Sequence, residues 1–154
     1  MNLRRLLLYS AGGRVYGSDI TSIREIVPFR RCTRLPGAPA YVCGLINLRG
    51  TLVTVVDLAA RLGGTAEAGG AAASRQSGSV VLVEYGTKVV GIAVDQVRDV
   101  QAVAEENLEP VSLAASEAGD ASRGGVAVFH GSGQLDGEVV VLLDVHTILK
   151  QVLA

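Results

Sequence analysis

The stretch GSDITSIREI, beginning at Gly17, is echoed by GIAVDQVRDV beginning at Gly91. The alignment pairs Ile20 with Val94, Ile23 with Val97, Arg24 with Arg98, Glu25 with Asp99 and Ile26 with Val100. A second echo joins GTLVTVVDLAARL, from Gly50, to GEVVVLLDVHTIL, from Gly137, and matches Asp57 to Asp144 and Leu62 to Leu149. Between them GLIN at Gly44 answers GVAV at Gly125. The matches keep their order, and their offsets grow only by insertion. An internal repeat of this kind restricts the fold strongly, because each copy must form the same supersecondary unit. It predicts two similar half-domains, each a small barrel, interleaved within one domain spanning residues 1–154 and formed roughly by the first and second halves of the chain.

The units themselves read as short strands. RLLLYS and RVYGSDI flank Gly12-Gly13 as a hairpin, YVCGLIN and TLVTVVDL lie either side of Asn-Leu-Arg-Gly, and SVVLVEY turns at Gly86. Valine-rich strands at this density argue for mainly β, barrel-like structure with a few short helices. Ile20, Ile23 and Ile26 recur at spacing three, which predicts one or two turns of amphipathic helix. DLAARLGG carries an Asp cap, helix formers and a glycine stop, and HTILKQVL fits a terminal helix beginning at the Asp144 cap. Residues 63–79 are small, polar and without periodicity, and read as a loop between the halves. A second loose stretch covers 114–125.

Composition weighs against several functional classes. With 49% hydrophobic and 19% charged residues the chain has material for a sizeable core. A net charge of -1 supplies no field for nucleic acid, and 4% aromatics without Trp leaves little for base stacking. The basic residues before Leu6-Leu7-Leu8 suggest a leader, but Ser10 and two glycines break the apolar run, and a first strand fits better. No run approaches the roughly 18 apolar residues of a membrane span. Direct membrane insertion is not expected, and the reading is a soluble, cytoplasmic protein. Cys32 and Cys43 make no disulfide framework, and Cys43 reads as a small buried hydrophobe.

Catalysis finds no support. His130 and His146 lack partners at metal-ligand spacing, no serine sits in a Gly-x-Ser-x-Gly elbow, and GSGQLDG at Gly131 reads as a hairpin turn followed by a strand, so no helix N-terminus is offered to a phosphate. No catalytic, cofactor or metal residue is expected. The informative motif is Asn47-Leu48-Arg49-Gly50. Asn47 and Gly50 are turn residues, but a turn needs no guanidinium, and Arg presents a rigid fork suited to a carboxylate such as Glu25. The second copy has Asp136-Gly137 instead. A charge present in only one copy of a duplicated scaffold points to recognition.

These segments together resemble the CheW family of chemotaxis coupling proteins, from about Leu6 to Leu149 and in the family's order. GLINLRGTLVTVVDL, YGSDITSIREI, VGIAVDQVRDV and DGEVVVLLDVHTIL carry the likeness. Thr54 stands where the family usually has proline. The resemblance implies two SH3-like, five-stranded barrels sharing a hydrophobic core and a non-enzymatic adaptor without cofactor. The implied partners are the cytoplasmic tip of methyl-accepting chemoreceptors and the regulatory domain of a CheA-type histidine kinase, in arrays beneath the membrane. It also implies a receptor groove between the barrels. Ile20, Ile23 and Ile26 would be apolar contacts there, faced by Val89 and Val90 from the second barrel, with Glu25 and Arg49 paired beside Asn47 and Gly50. Apolar burial at about 25 cal/mol per Å², set against association entropy, makes reversible, micromolar-class contacts the expectation. The same scaffold could serve a related system, such as twitching motility or surface sensing. A small ligand-binding barrel is a further alternative, as is a nucleic-acid-binding pair of barrels.

Overall fold

The computed structural model describes residues 3–63, 77–104, 129–135 and 138–153. Among these described residues, ten strands and two short helices follow in chain order: β1 (Leu3–Ala11), β2 (Arg14–Asp19), β3 (Ile23–Pro28), β4 (Val42–Leu48), β5 (Thr51–Asp57), α1 (Leu58–Gly63), β6 (Ser79–Tyr85), β7 (Lys88–Val94), β8 (Gln96–Ala104), β9 (Phe129–Leu135), β10 (Glu138–Leu143) and α2 (Val145–Leu153). The strands form two five-stranded sheets, ordered β8-β1-β2-β10-β9 and β3-β6-β7-β5-β4.

The two orders are one topology used twice. Replacing β8, β1, β2, β10 and β9 by β3, β6, β7, β5 and β4 converts one sheet into the other. In each, a central hairpin strand lies parallel to the strand that leads into a capped helix: β2 against β10, and β7 against β5. The sequence repeat is therefore structural, but its copies do not each close a unit. One compact unit holds residues 1–22 and 98–154; the other holds 23–97. The division therefore does not run between the first and second halves of the chain. Each unit combines the leading hairpin of one copy with the three later strands of the other. The chain leaves β2 through only three residues and enters a strand of the other unit.

That connection also corrects the helix expected around Ile20–Ile26. A three-residue 3-10 turn, Ile20–Ser22, is all that forms. The Asp19 carboxylate accepts bonds from the Thr21 amide (3.0 Å) and hydroxyl (2.7 Å), which opens the turn; Ile23–Pro28 is then a strand. Spacing three on a strand normally alternates faces. Here a bulge intervenes: Ile23 pairs with Val83 while Glu25 pairs with Leu82, so two steps on β3 oppose one on β6. Ile23 and Ile26 consequently share a face.

The other helices follow their caps. Asp57 Oδ1 accepts the Ala60 amide at 3.0 Å, and Asp144 Oδ1 accepts the His146 amide at 3.1 Å, which satisfies amide donors in the first turn of α1 and α2. GSGQL, expected as part of a turn, lies inside β9. The loop stretches 64–76 and 114–125, Asp136-Gly137 and the His130 side chain lie outside the described residues.

Within residues 23–97 the core is Val27, Cys43, Ile46, Leu48, Val53, Val55, Val80, Leu82 and Ala93. In the other unit it includes Leu6, Leu8, Val15, Val103, Val140 and Leu142. There the Tyr9 hydroxyl donates to Ser18 Oγ (2.6 Å), which donates onward to the Leu143 carbonyl (3.1 Å), so two buried hydroxyls are satisfied in series. Burial pushes the Tyr9 phenol above its ordinary range. Thr54 sits in interior strand β5, opposite Leu45 on one side and Val90 on the other. A ladder there can use an N–H that proline lacks.

Candidate docking site

The Asn47–Gly50 hairpin is built by backbone geometry that the side chains then exploit. Leu48 and Thr51 close β4 and β5, leaving Arg49-Gly50 as a two-residue loop with φ of 51° and 86°. Positive φ at both central positions is the type I′ turn, whose twist matches the flanking strands. Asn47 Oδ1 accepts the Gly50 amide at 2.9 Å and pins the loop. Glycine takes this geometry freely; arginine does not. Arg49 is the one non-glycine at positive φ among the described residues. The conformational cost thus falls on a solvent-facing arginine.

That side chain reaches Glu25 with both prongs, Nη1 to Oε2 at 3.1 Å and Nη2 to Oε1 at 2.5 Å. The bidentate hydrogen bonding, with the charge of Arg49 behind it, holds the Glu25 carboxyl below the usual carboxylate range, and the guanidinium is raised in turn. Glu25 belongs to β3 and Arg49 to the turn that follows β4, and β3 and β4 are the first and last strands of their sheet. The pair therefore spans the two edges. Beside it Arg30 Nη1 donates to the Asn47 carbonyl (3.1 Å), and Thr33 exchanges both backbone bonds with Leu45 at 2.8 Å. The segment after β3 thus pairs along β4 and curls the sheet into a barrel. A second pair, Arg24 to Glu84 at 2.9 Å, lies outside on β3 and β6. The sequence offered no signal for Glu84.

The apolar residues divide. Ile26 is 40% exposed and Ile23 half-buried, on the face that also carries the buried Val81, Val83, Val90 and Ile92. They form an open apolar margin to an otherwise covered sheet. Ile20 is half-buried in the 3-10 turn and belongs to the other compact unit. Val89 and Val90 are corrected on two counts. Both lie on β7, in the same unit as Ile23 and Ile26, and Val90 is only 2% exposed. Val89 packs half-buried against the core cluster. Exposed Leu52, directly across from Asn47, was missed because alternation in TLVTVVDL did not say which face was covered.

Among the described residues no three His, Cys, Asp or Glu side chains gather to hold a metal, and no helix is long and apolar enough to cross a membrane. What the site offers is a hairpin tip, a charge pair and a flanking apolar edge on a protein of duplicated five-stranded sheets. The family model for the CheW-like domain matches residues 5–153, and the chain belongs to that family. It is 34% identical over 114 residues to the chemotaxis protein CheW of Rhizobium meliloti (strain 1021), covering 74% of this chain and 70% of that one. It is 30% identical over 153 residues to CheW of Klebsiella aerogenes, covering 96% and 82%. The solved structure of the scaffolding protein TtCheW from Thermoanaerobacter tengcongensis superposes with a TM-score of 0.77 at 23% identity, over 97% of this chain and 89% of that one, a likeness of fold.

Proposed function

We propose that this chain is a non-enzymatic chemotaxis adaptor that couples the cytoplasmic tips of chemoreceptors to the regulatory domain of a CheA-type histidine kinase. The match to the CheW-like family over residues 5–153 carries the reading. Receptor contact falls to the Arg49–Glu25 pair on its Asn47–Gly50 turn, with Ile20, Ile23 and Ile26 as apolar contacts. Val90 serves the core, and Val89 contributes packing. The role requires no cofactor and no turnover. It places the protein in the cytoplasm, recruited to receptor arrays by its partners.

The experiment is a calorimetric titration against the isolated regulatory region of a CheA-type kinase from the same cell, repeated with a receptor-tip fragment. Saturable binding to both is expected. No heat and no co-elution with either partner would overturn the adaptor role while leaving the fold intact.

A further inference from the structure

The chain has two cysteines, eleven positions apart, and the fold brings them together. Cys43 lies on β4, 3% exposed within the core cluster; Cys32 lies on the segment that pairs along β4 through the Thr33–Leu45 bridge, and is half-buried against the same cluster. Gly44 makes the approach possible. A Cβ placed there would lie 2.2 Å from the Thr33 carbonyl oxygen and 3.1 Å from Cys32 Cβ, and its φ of 140° is one that glycine tolerates. Cys32 Sγ donates to the Arg30 carbonyl at 3.8 Å, and a hydrogen bond with the Cys43 side chain is the main influence on the Cys32 thiol. That bond favours the Cys32 thiolate and lowers its pKa from the ordinary thiol value. Cys32 is flanked in sequence by Arg30, Arg31 and Arg34, all exposed, and no Asp or Glu occurs from Ile26 to Val56. A partly accessible thiol with a second thiol held behind it has the arrangement of an attacking and a resolving cysteine.

We propose that Cys32 and Cys43 are a peroxide-responsive dithiol that closes to an intramolecular disulfide. The Cys32 thiolate attacks hydrogen peroxide, breaking the O–O bond to give the sulfenic acid; the departing hydroxide takes up a proton as water. Cys43 sulfur then attacks the Cys32 sulfenic sulfur, and the hydroxyl leaves as a second water with the Cys43 proton. Two thiols are oxidised and one peroxide is reduced to two waters. The bond ties the segment after β3 covalently to β4, the strand that ends in the Arg49 turn. The assignment is independent of the adaptor role.

The test treats the reduced full-length chain with hydrogen peroxide, alkylates it in denaturant and weighs it intact. The expected product is a monomer lighter by two hydrogens that takes up no alkylating reagent and is restored by dithiothreitol. Trypsin should release residues 32–34 joined to residues 35–49. In Cys43→Ser the reaction should stop at a dimedone-reactive Cys32. In Cys32→Ser the buried Cys43 should resist peroxide. Two alkylatable thiols after treatment of the wild type would overturn the proposal. So would disulfide-linked dimers in place of the internal bond, or unchanged wild-type chemistry with Cys43 oxidised first.

Discussion

At the scale of single residues, Arg49 is where local preference and side-chain role conflict. Its backbone suits glycine, yet its guanidinium bridges the sheet edges to Glu25. Arg49→Gly relieves the backbone and deletes the fork, so it separates the two roles. We expect its urea midpoint to equal or exceed that of the wild type, while affinity for a receptor-tip fragment falls about tenfold or more, as for loss of a bidentate charged contact. Gross unfolding of Arg49→Gly or Arg49→Ala would show that the pair is a latch of the fold alone. Glu25 gives a second readout. Its folded pKa is depressed, so any stability from the pair is present above the unfolded carboxylate range and is lost as pH falls through the folded value. An NMR titration should place the Glu25 carboxyl midpoint below that of free glutamate, and Arg49→Ala should move it back up. A midpoint unmoved by Arg49→Ala would contradict the pairing.

At the scale of elements, the repeat rests on two glycines at matched positions, Gly17 in β2 and Gly91 in β7. Each lies where its strand is flanked closely by both neighbours. A methyl at Gly91 would meet Val80 Cγ1 at 2.6 Å and Val55 Cγ2 at 3.3 Å; at Gly17 it would meet Leu8 Cδ2 at 3.2 Å and Val140 Cγ1 at 3.3 Å. Valine is stiff at χ1 and cannot swing aside as a leucine end can. Gly91→Ala should therefore cost about 1–3 kcal/mol as overpacking, and Gly17→Ala less. Denaturant unfolding of the two variants checks the order, and equal costs would refute the close-approach account. The pattern of β3 is the complementary case. Its isoleucine spacing was plain in the sequence, but only the bulge opposite Val83 and Leu82 decided that the spacing belonged to a strand.

At the scale of the whole molecule, the exchange of hairpins between repeat copies makes neither half of the sequence self-sufficient. The unit of residues 23–97 needs β3–β5 from the first copy and β6–β7 from the second, and its core joins Val27, Ile46 and Val53 to Val80, Leu82 and Ala93. Residues 1–76 and 77–154 expressed separately should each give a poorly dispersed NMR spectrum, and co-refolding should restore the wild-type one. A dispersed, cooperatively melting 1–76 fragment would show that one repeat closes a barrel by itself.

The sequence alone determined the duplicated β architecture, the strands around the Asn47–Gly50 hairpin and the capped helices, and it offered Glu25 as a candidate partner for Arg49. The first three are written in local chemistry: turn residues, caps and apolar runs. Tertiary structure alone decided which hairpin joined which sheet, because both copies carry the same local pattern and either pairing satisfies it. It also decided that Val90 is covered and Leu52 is not, since alternation along a strand marks two faces without saying what lies against them. For the same reason the nearness of Cys32 to Cys43 was hidden. It depends on one segment pairing along β4 past a glycine, a contact that no spacing along the chain encodes.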